Sequence, residues 1–208
     1  MGRVDHPLIE HHLCTIRDAS TPAATFRDAV ANLTILVGTH ATAHLPTQPH
    51  TVTTPLCPCT GRRVVASVAL VPILRAGLGM VAPMQQLMPE ASVWHLGMYR
   101  DEQTAKPVGY YDKLPDGGAT DVAFVLDPMV ATGGSIAMAI DRLRDWGVQR
   151  INVVGLIASR DGIDRLADQY PDVDVHVAAI DPELNDRAFI VPGLGDAGDR
   201  IFDTPAAD

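Results

Sequence analysis

The chain has 208 residues, a length that suits one domain with a substantial core. Hydrophobic residues make up 47%, yet no apolar run reaches the roughly 18–20 residues needed to span a bilayer. The formal net charge of −9 argues against a nucleic-acid or anionic-membrane surface, which needs a basic patch, but not against an anionic small substrate.

The N-terminus, MGRVDHPLIEHH, carries charge and histidine without an apolar centre, so it does not read as a signal peptide and a cytoplasmic location is expected. Thr21 is placed to cap a helix with Pro22 at its first position. Phe26, Val30, Leu33 and Val37 then recur at helical spacing, which predicts a helix from about Pro22 to about His44. His40 and His44 lie four apart on it; packing or surface roles compete there with metal ligation. Residues 46–63 are rich in Pro and Thr and predict a loop with a short extended piece. Cys57-Pro-Cys59 lacks the second ligand pair of a zinc site, so free thiols are expected there and at Cys14.

Val64 to Leu74 is nearly all apolar and β-branched, as in a buried parallel strand. It runs into Arg75-Ala76-Gly77, and a charged residue at the end of such a strand faces the ligand crevice of an open α/β sheet. Gly77 and Gly79 would let that backbone approach an anion; a surface arginine is the plainer alternative. A helix is expected over about Leu78 to Met88, a strand over Ser92 to Met98, and extended chain over Lys106 to Leu114.

The central stretch is VAFVLDPMVATGGSIAM, Val122 to Met138. Val122 to Leu126 predicts a strand, closed by Asp127 and by Pro128, which has no N–H for a further ladder bond. Ala131, Thr132, Gly133, Gly134 and Ser135 are small, and Ile136, Ala139, Ile140 and Leu143 then recur at helical spacing. Strand, carboxylate, small-residue loop and helix start together suit a ribose phosphate: amides at the helix start hold the phosphate and Asp127 accepts from sugar hydroxyls. An ordinary βα turn is the alternative. A Walker loop is excluded, because no Lys follows the second Gly.

That helix should end near Trp146, with Gly147 as its stop. A strand over Ile151 to Ala158, a helix over about Asp161 to Tyr170 and a strand over Val173 to Ile180 follow. The alternation predicts a mainly parallel sheet with helices on both faces. Gly193-Leu194-Gly195-Asp196-Ala197-Gly198 fits GxGxxG, but only ten residues follow, too few for a dinucleotide-binding unit.

Taken together, LDPMVATGGS (126–135), VPILRAGLGM (71–80), MYRDE (98–102), YYDKLP (110–115) and IVPGLGDAGDR (190–200) resemble the uracil phosphoribosyltransferase family, in the family's order and over nearly the whole chain. The resemblance implies an α/β phosphoribosyltransferase-like domain over 1–208, with a β-hairpin arm near residues 46–63 and a C-terminal base-binding segment. It implies pyrimidine salvage: uracil and 5-phosphoribosyl 1-diphosphate give uridine 5′-phosphate and diphosphate, with Mg²⁺ bound mainly through the substrate. Arg75 and Arg100 would contact the diphosphate. Asp127, Pro128, Met129, Val130 and Ala131 to Ser135 would take the ribose 5-phosphate. Ile190, Gly195 and Ala197 would read the base, and Asp196 would face the phosphoribosyl diphosphate. Asp127, Asp196, Arg75 and Arg100 are thus the expected catalytic set. A flap over residues 106–114, GTP as effector, and a homodimer or homotetramer are further implications.

Most phosphoribosyltransferases carry two acidic residues before the loop; Asp127-Pro128 follows the uracil branch. Phe189 stands where the family usually has Tyr, and Asp203 where it usually has Gly. The alternatives are a phosphoribosyltransferase for another base, which the glycine-rich tail opposes, and a regulator on the same fold that binds nucleotide and RNA with little turnover, which the acidic charge opposes.

Overall fold

A computed structural model describes residues 2–100, 107–112, 114–115 and 117–205, apart from the side chains of 98–100, 107, 108, 110 and 112. Strand β1 (Gly2–Arg3) leads into α1 (Pro7–Arg17). His6 caps α1 by accepting from the Leu8 N–H at 3.1 Å, Pro7 takes a first-turn position, and Ile9, Leu13 and Ile16 form its buried stripe. This helix has no counterpart among the sequence expectations, because histidine is an uncommon cap and the stripe is only three residues long.

Helix α2 (Ala23–Ala41) buries Phe26, Val30, Leu33 and Val37 as expected, but its ends differ. Thr21 does not cap it; the hydroxyl donates to the Thr15 carbonyl at 2.7 Å, and Pro22 sits at the cap position. The helix also stops at Ala41, short of His44. His40 turns from His44 to His176, the two Nδ1 atoms 3.2 Å apart.

Residues 46–63 are chiefly strand, not the loop that their composition predicts, and form the β-hairpin that the family resemblance implies. Strand β2 (Thr47–Thr53) pairs antiparallel with β3 (Pro58–Val64), from Thr47 opposite Val64 to Thr53 opposite Pro58. Apart from Thr47 at the base, the two strands are exposed on both faces, so no apolar alternation marks them, and Leu56 at the tip is 94% exposed. The buried strand β4 (Val68–Leu74) therefore starts four residues later than expected. Helix α3 (Leu78–Leu87), strands β5 (Ser92–Val93) and β6 (Leu96–Arg100), and β7 (Pro107–Asp112) follow.

The remaining elements are β8 (Val122–Leu126), β9 (Met129–Val130), α4 (Gly134–Trp146), β10 (Arg150–Val154), β11 (Ile157–Ser159), α5 (Arg160–Gln169), β12 (Asp174–Val177), β13 (Ala179–Asp181), β14 (Glu183–Leu184), β15 (Ile190–Val191) and α6 (Ala197–Phe202). The main sheet runs β1-β12-β10-β8-β4-β6-β7, with β5 also beside β4; only β6–β7 is antiparallel. Alternation divides the core between its faces. Leu70, Phe124 and Leu126 pack with α1, α2 and α3, whereas Ala69, Val71, Ala123 and Val125 pack with α4 and α5.

Three neighbouring strands break at one level. The strands expected as continuous over 151–158 and 173–180 are each split, as β10/β11 and β12/β13, beside the break between β8 and β9. At this step Leu156 and Ile157 both donate to the Pro128 carbonyl, and Ala178 and Ala179 both donate to that of Leu156. The chain resumes as the parallel sheet β13-β11-β9. Asp127 sits at the step. Beside it, β4 sends its helix to one face and β8 sends its helix to the other, which makes the switch point where open α/β sheets hold ligands.

Candidate active site

Asp127 lies at the lip of a cleft of about 180 Å³ lined also by Met129 to Ile136. Its Oδ1 accepts from the Met129 N–H at 3.1 Å, which turns the chain into the loop. Burial, and then the charge of Asp196, push this carboxyl up to about 7, against the opposing Met129 hydrogen bond. Gly133, the cap residue of α4, has φ 73° and no side chain to cap with; the Gly134 N–H points to the Thr132 hydroxyl at 3.5 Å, and the Ser135 and Ile136 amides follow in the first turn beside the cleft. The expected contact residues Asp127 and Ala131 to Ser135 thus line one concavity at the positive end of a thirteen-residue helix. Met129 and Val130 line it too, while Pro128 is buried in the step behind.

This loop rests on α5, a support that the sequence expectations did not include. The Ser159 hydroxyl donates to the Ala131 carbonyl at 2.6 Å and accepts from the Gly162 N–H at 2.9 Å, capping α5 and tethering the loop together. A Cβ on Gly162 would stand 2.3 Å from the Ala131 oxygen, so only glycine allows this approach. An S-x-x-G spacing at the end of a predicted strand is the one hint the sequence carries.

The Arg75 loop meets the Asp127 loop from the other side of the switch point. A Cβ on Gly77 would lie 2.3 Å from the Leu126 carbonyl oxygen, which explains the glycine after the arginine. Arg75 reaches across to α6, where Nη2 donates to Asp199 Oδ1 at 2.9 Å. Arg100 ends β6 opposite Pro107; its side chain lies outside the described residues, as do Lys106 and Lys113 of the expected flap.

The C-terminal segment is held by cations from far along the chain. Arg17 donates to both oxygens of Asp181, at 2.8 and 2.7 Å, and to the Gly193 carbonyl at 2.8 Å; the Gly193 N–H returns a bond to Asp181 at 2.9 Å. Arg200 donates to the carbonyls of Ile16, Leu194 and Asp18, with its guanidinium 4.2 Å from the Phe26 ring centroid. Ile190 and Ala197 are buried, whereas Gly195, at φ 82°, and Asp196 are exposed. Asp196 caps α6 by accepting from the Asp199 N–H at 2.9 Å. Asp203 takes a left-handed conformation, φ 54°, at the end of α6, a position that favours glycine, as the family resemblance implies. Phe189 is exposed near the Arg187 guanidinium.

A larger cavity of about 620 Å³ lies elsewhere, between Leu45, Val64, Leu87 and Met88 beneath the N-terminal ends of β4 and β8. Its lining is mostly apolar, with Glu90 the one charged residue, and it lacks the convergent polar groups of the switch-point cleft.

A family model described as "Uracil phosphoribosyltransferase" matches residues 3–204. Proteins named uracil phosphoribosyltransferase are 53% identical in Roseiflexus sp., with 96% of each chain covered, and 47% identical in Agathobacter rectalis, with 98% of this chain and all of the relative covered. Among solved structures, the AQ2163 protein from Aquifex aeolicus superposes with a TM-score of 0.92 at 31% identity over 99% of both chains. A hypoxanthine phosphoribosyltransferase from Trypanosoma cruzi, at 11% identity and TM-score 0.52 over 76% of each chain, shares the fold.

Proposed function

Because the chain belongs to the uracil phosphoribosyltransferase family, we propose that its crevice between β4 and β8 is where uracil and 5-phosphoribosyl 1-diphosphate become uridine 5′-phosphate and diphosphate. The observation that carries this assignment is convergence: the Asp127 loop, the Arg75 loop and the Asp196 segment meet at one end of the sheet, through the close approach of Gly77 to the Leu126 carbonyl and the Arg75–Asp199 pair.

In this reading amides and hydroxyls of Ala131 to Ser135 hold the 5′-phosphate, and Asp127 accepts from the ribose hydroxyls. N1 of uracil attacks C1′ while the bond to diphosphate breaks, so positive charge grows on the ribose and negative charge on the leaving group. Arg75 and Arg100 offer planar forks of donors to that group. Mg²⁺ would arrive mainly on substrate oxygens, and Asp127 and Asp196 are the carboxylates of this end of the sheet that would offer it oxygen ligands. That ion would supply charge neutralisation at the diphosphate. Main-chain groups at Ile190, Gly195 and Ala197 complement uracil's acceptor–donor–acceptor edge, and Asp196 orients the base against the ribose. Catalysis is then chiefly positioning and charge stabilisation.

The exposed hairpin supports an oligomer contact, with homodimer or homotetramer as the expected forms; initial rates with and without GTP test the implied effector.

The decisive assay mixes the protein with uracil, phosphoribosyl diphosphate and Mg²⁺ and follows uridine 5′-phosphate and diphosphate. Product should need all three, cytosine should be a poor acceptor, and Asp127→Asn should lower turnover by about a hundredfold or more. Near wild-type rates in that variant would remove the ribose assignment. Efficient use of cytosine would remove the base-reading one. Tight binding of phosphoribosyl diphosphate without product from any base would favour a regulator.

A further inference from the structure

We infer that Asp199 is a positioning residue for Arg75: it grips one edge of the guanidinium so that the other edge is presented to the diphosphate, and it ties that edge to the helix capped by Asp196. The inference rests on the assignment of Arg75 to the diphosphate.

Arg75 Nη2 donates to Asp199 Oδ1 at 2.9 Å, yet the partners are unequal: the Arg75 side chain is 56% exposed and that of Asp199 only 16%. Asp199 is the fixed member. The same Oδ1 accepts from the Thr204 hydroxyl at 2.6 Å, the Thr204 N–H donates to the Asp199 carbonyl at 3.1 Å, and the Asp199 N–H is held by Asp196 Oδ1 at 2.9 Å. Helix α6 is itself anchored, with Ile201 in the core and its carbonyl bonded to Arg27 at 3.0 Å. The Thr204 hydroxyl bond and then Arg75 hold the Asp199 carboxyl below the usual range, so it is ionised at neutral pH.

A guanidinium carries five N–H donors, and Asp199 takes one. Among the described residues no other acceptor meets this guanidinium, which leaves its remaining donors to fork onto phosphate oxygens. A long side chain already held at one edge loses less freedom on binding than one spread over its rotamers. Asp199 therefore pre-orders the arginine instead of competing for it. Asp196, next to the base segment, caps the same short helix, so Arg75 and the base-reading backbone share one rigid support. Asp199 lies within the IVPGLGDAGDR stretch, but nothing in that stretch pairs it with Arg75; the contact exists only in the fold.

The test is calorimetric titration, with Mg²⁺ present, of phosphoribosyl diphosphate, diphosphate and uridine 5′-phosphate into the wild type, Asp199→Asn, Arg75→Ala and the double variant. Asparagine keeps an acceptor for Thr204 but loses the charge. We expect Asp199→Asn to weaken phosphoribosyl diphosphate and diphosphate about fivefold, to leave uridine 5′-phosphate unchanged, and to cost nothing further once Arg75 is absent. Equal weakening of uridine 5′-phosphate would mean a merely structural role and would overturn the inference. So would tighter binding of diphosphate, or a loss that persists without Arg75. Undiminished phosphoribosyl diphosphate binding by Arg75→Ala would instead reject the underlying assignment of Arg75. Should Asp199→Asn not fold, Thr204→Val, which frees Asp199 on one side, should give a smaller loss with the same ligand pattern; no loss there overturns the proposal.

Discussion

The Asp127–Ser135 loop and the Ile190–Phe202 segment look alike on paper. Both are glycine-rich and both run into a helix. Their supports differ. The first loop is set by its own strand and helix, with Ser159 and Gly162 close behind it. The second has a two-residue strand and a six-residue helix, and its position depends on Arg17 and Asp181, with Arg200 reaching back to α1 and the turn after it. In the proposed roles, a loop that offers its own amides to a phosphate is built by local geometry, whereas a segment that would read a base is held against the rest of the molecule by long-range charged hydrogen bonds.

The sharpest way to break the first support is Gly162→Ala. The added Cβ must push the Ala131 carbonyl away by most of an ångström or more, since it would otherwise lie 2.3 Å from it. Misplacement of this order should lower kcat/KM about a hundredfold, with the loss concentrated in phosphoribosyl diphosphate binding, as steady-state kinetics would show. A variant with unchanged kinetics would mean that the loop does not depend on α5.

Arg17→Ala attacks the second support. It strips Asp181, which is only 5% exposed, of two charged hydrogen bonds and leaves one from the Gly193 N–H. A loss of about 3 kcal/mol is expected in chemical denaturation. The KM for uracil should rise while phosphoribosyl diphosphate affinity changes little. If both substrates suffer equally, the two regions are not separately supported.

The smallest expected effect is one of pH. Asp127 is pushed from the ordinary 3.8 up to about 7 in the free protein. The folded chain therefore holds a proton that the unfolded chain has lost. Stability from this group is full below pH 3.8 and is lost as pH rises through about 7. Asp127→Asn should remove that decline and make the unliganded protein more stable at about pH 8, by on the order of 2 kcal/mol, in denaturation curves across the range. Phosphoribosyl diphosphate affinity should move the other way in the wild type, strengthening through the same interval, because the ionised carboxylate is the better acceptor.

What the chain disclosed in advance follows the same division. The strand Val122 to Leu126, the loop after it and the stop at Gly147 were legible because apolar period, small residues and a left-handed glycine are local signals. The parallel sheet followed from the alternation of elements. The hairpin was not legible as strands, because a ribbon exposed on both faces has no apolar alternation to read. The breaks at Gly155 and Ala178 were hidden inside continuous apolar runs, where burial is uniform and only the hydrogen-bond pattern changes. Arg75 and Asp196 could be named from motifs, but Asp199, Ser159 and Arg17 could not, since each acts through a partner distant in sequence.

The chain contains two tryptophans, and the fold brings them together: Trp94 and Trp146 meet edge to face at 6.1 Å, and the Trp146 indole N–H donates to the Pro115 carbonyl at 2.9 Å. Both indoles thus stand where the β6–β7 ribbon rejoins the body, next to α4. All indole emission of the protein originates at this one joint. Any rearrangement of the chain at Leu114–Pro115 when substrate arrives is open to optical detection in the native protein, with no label introduced and no background from a second site.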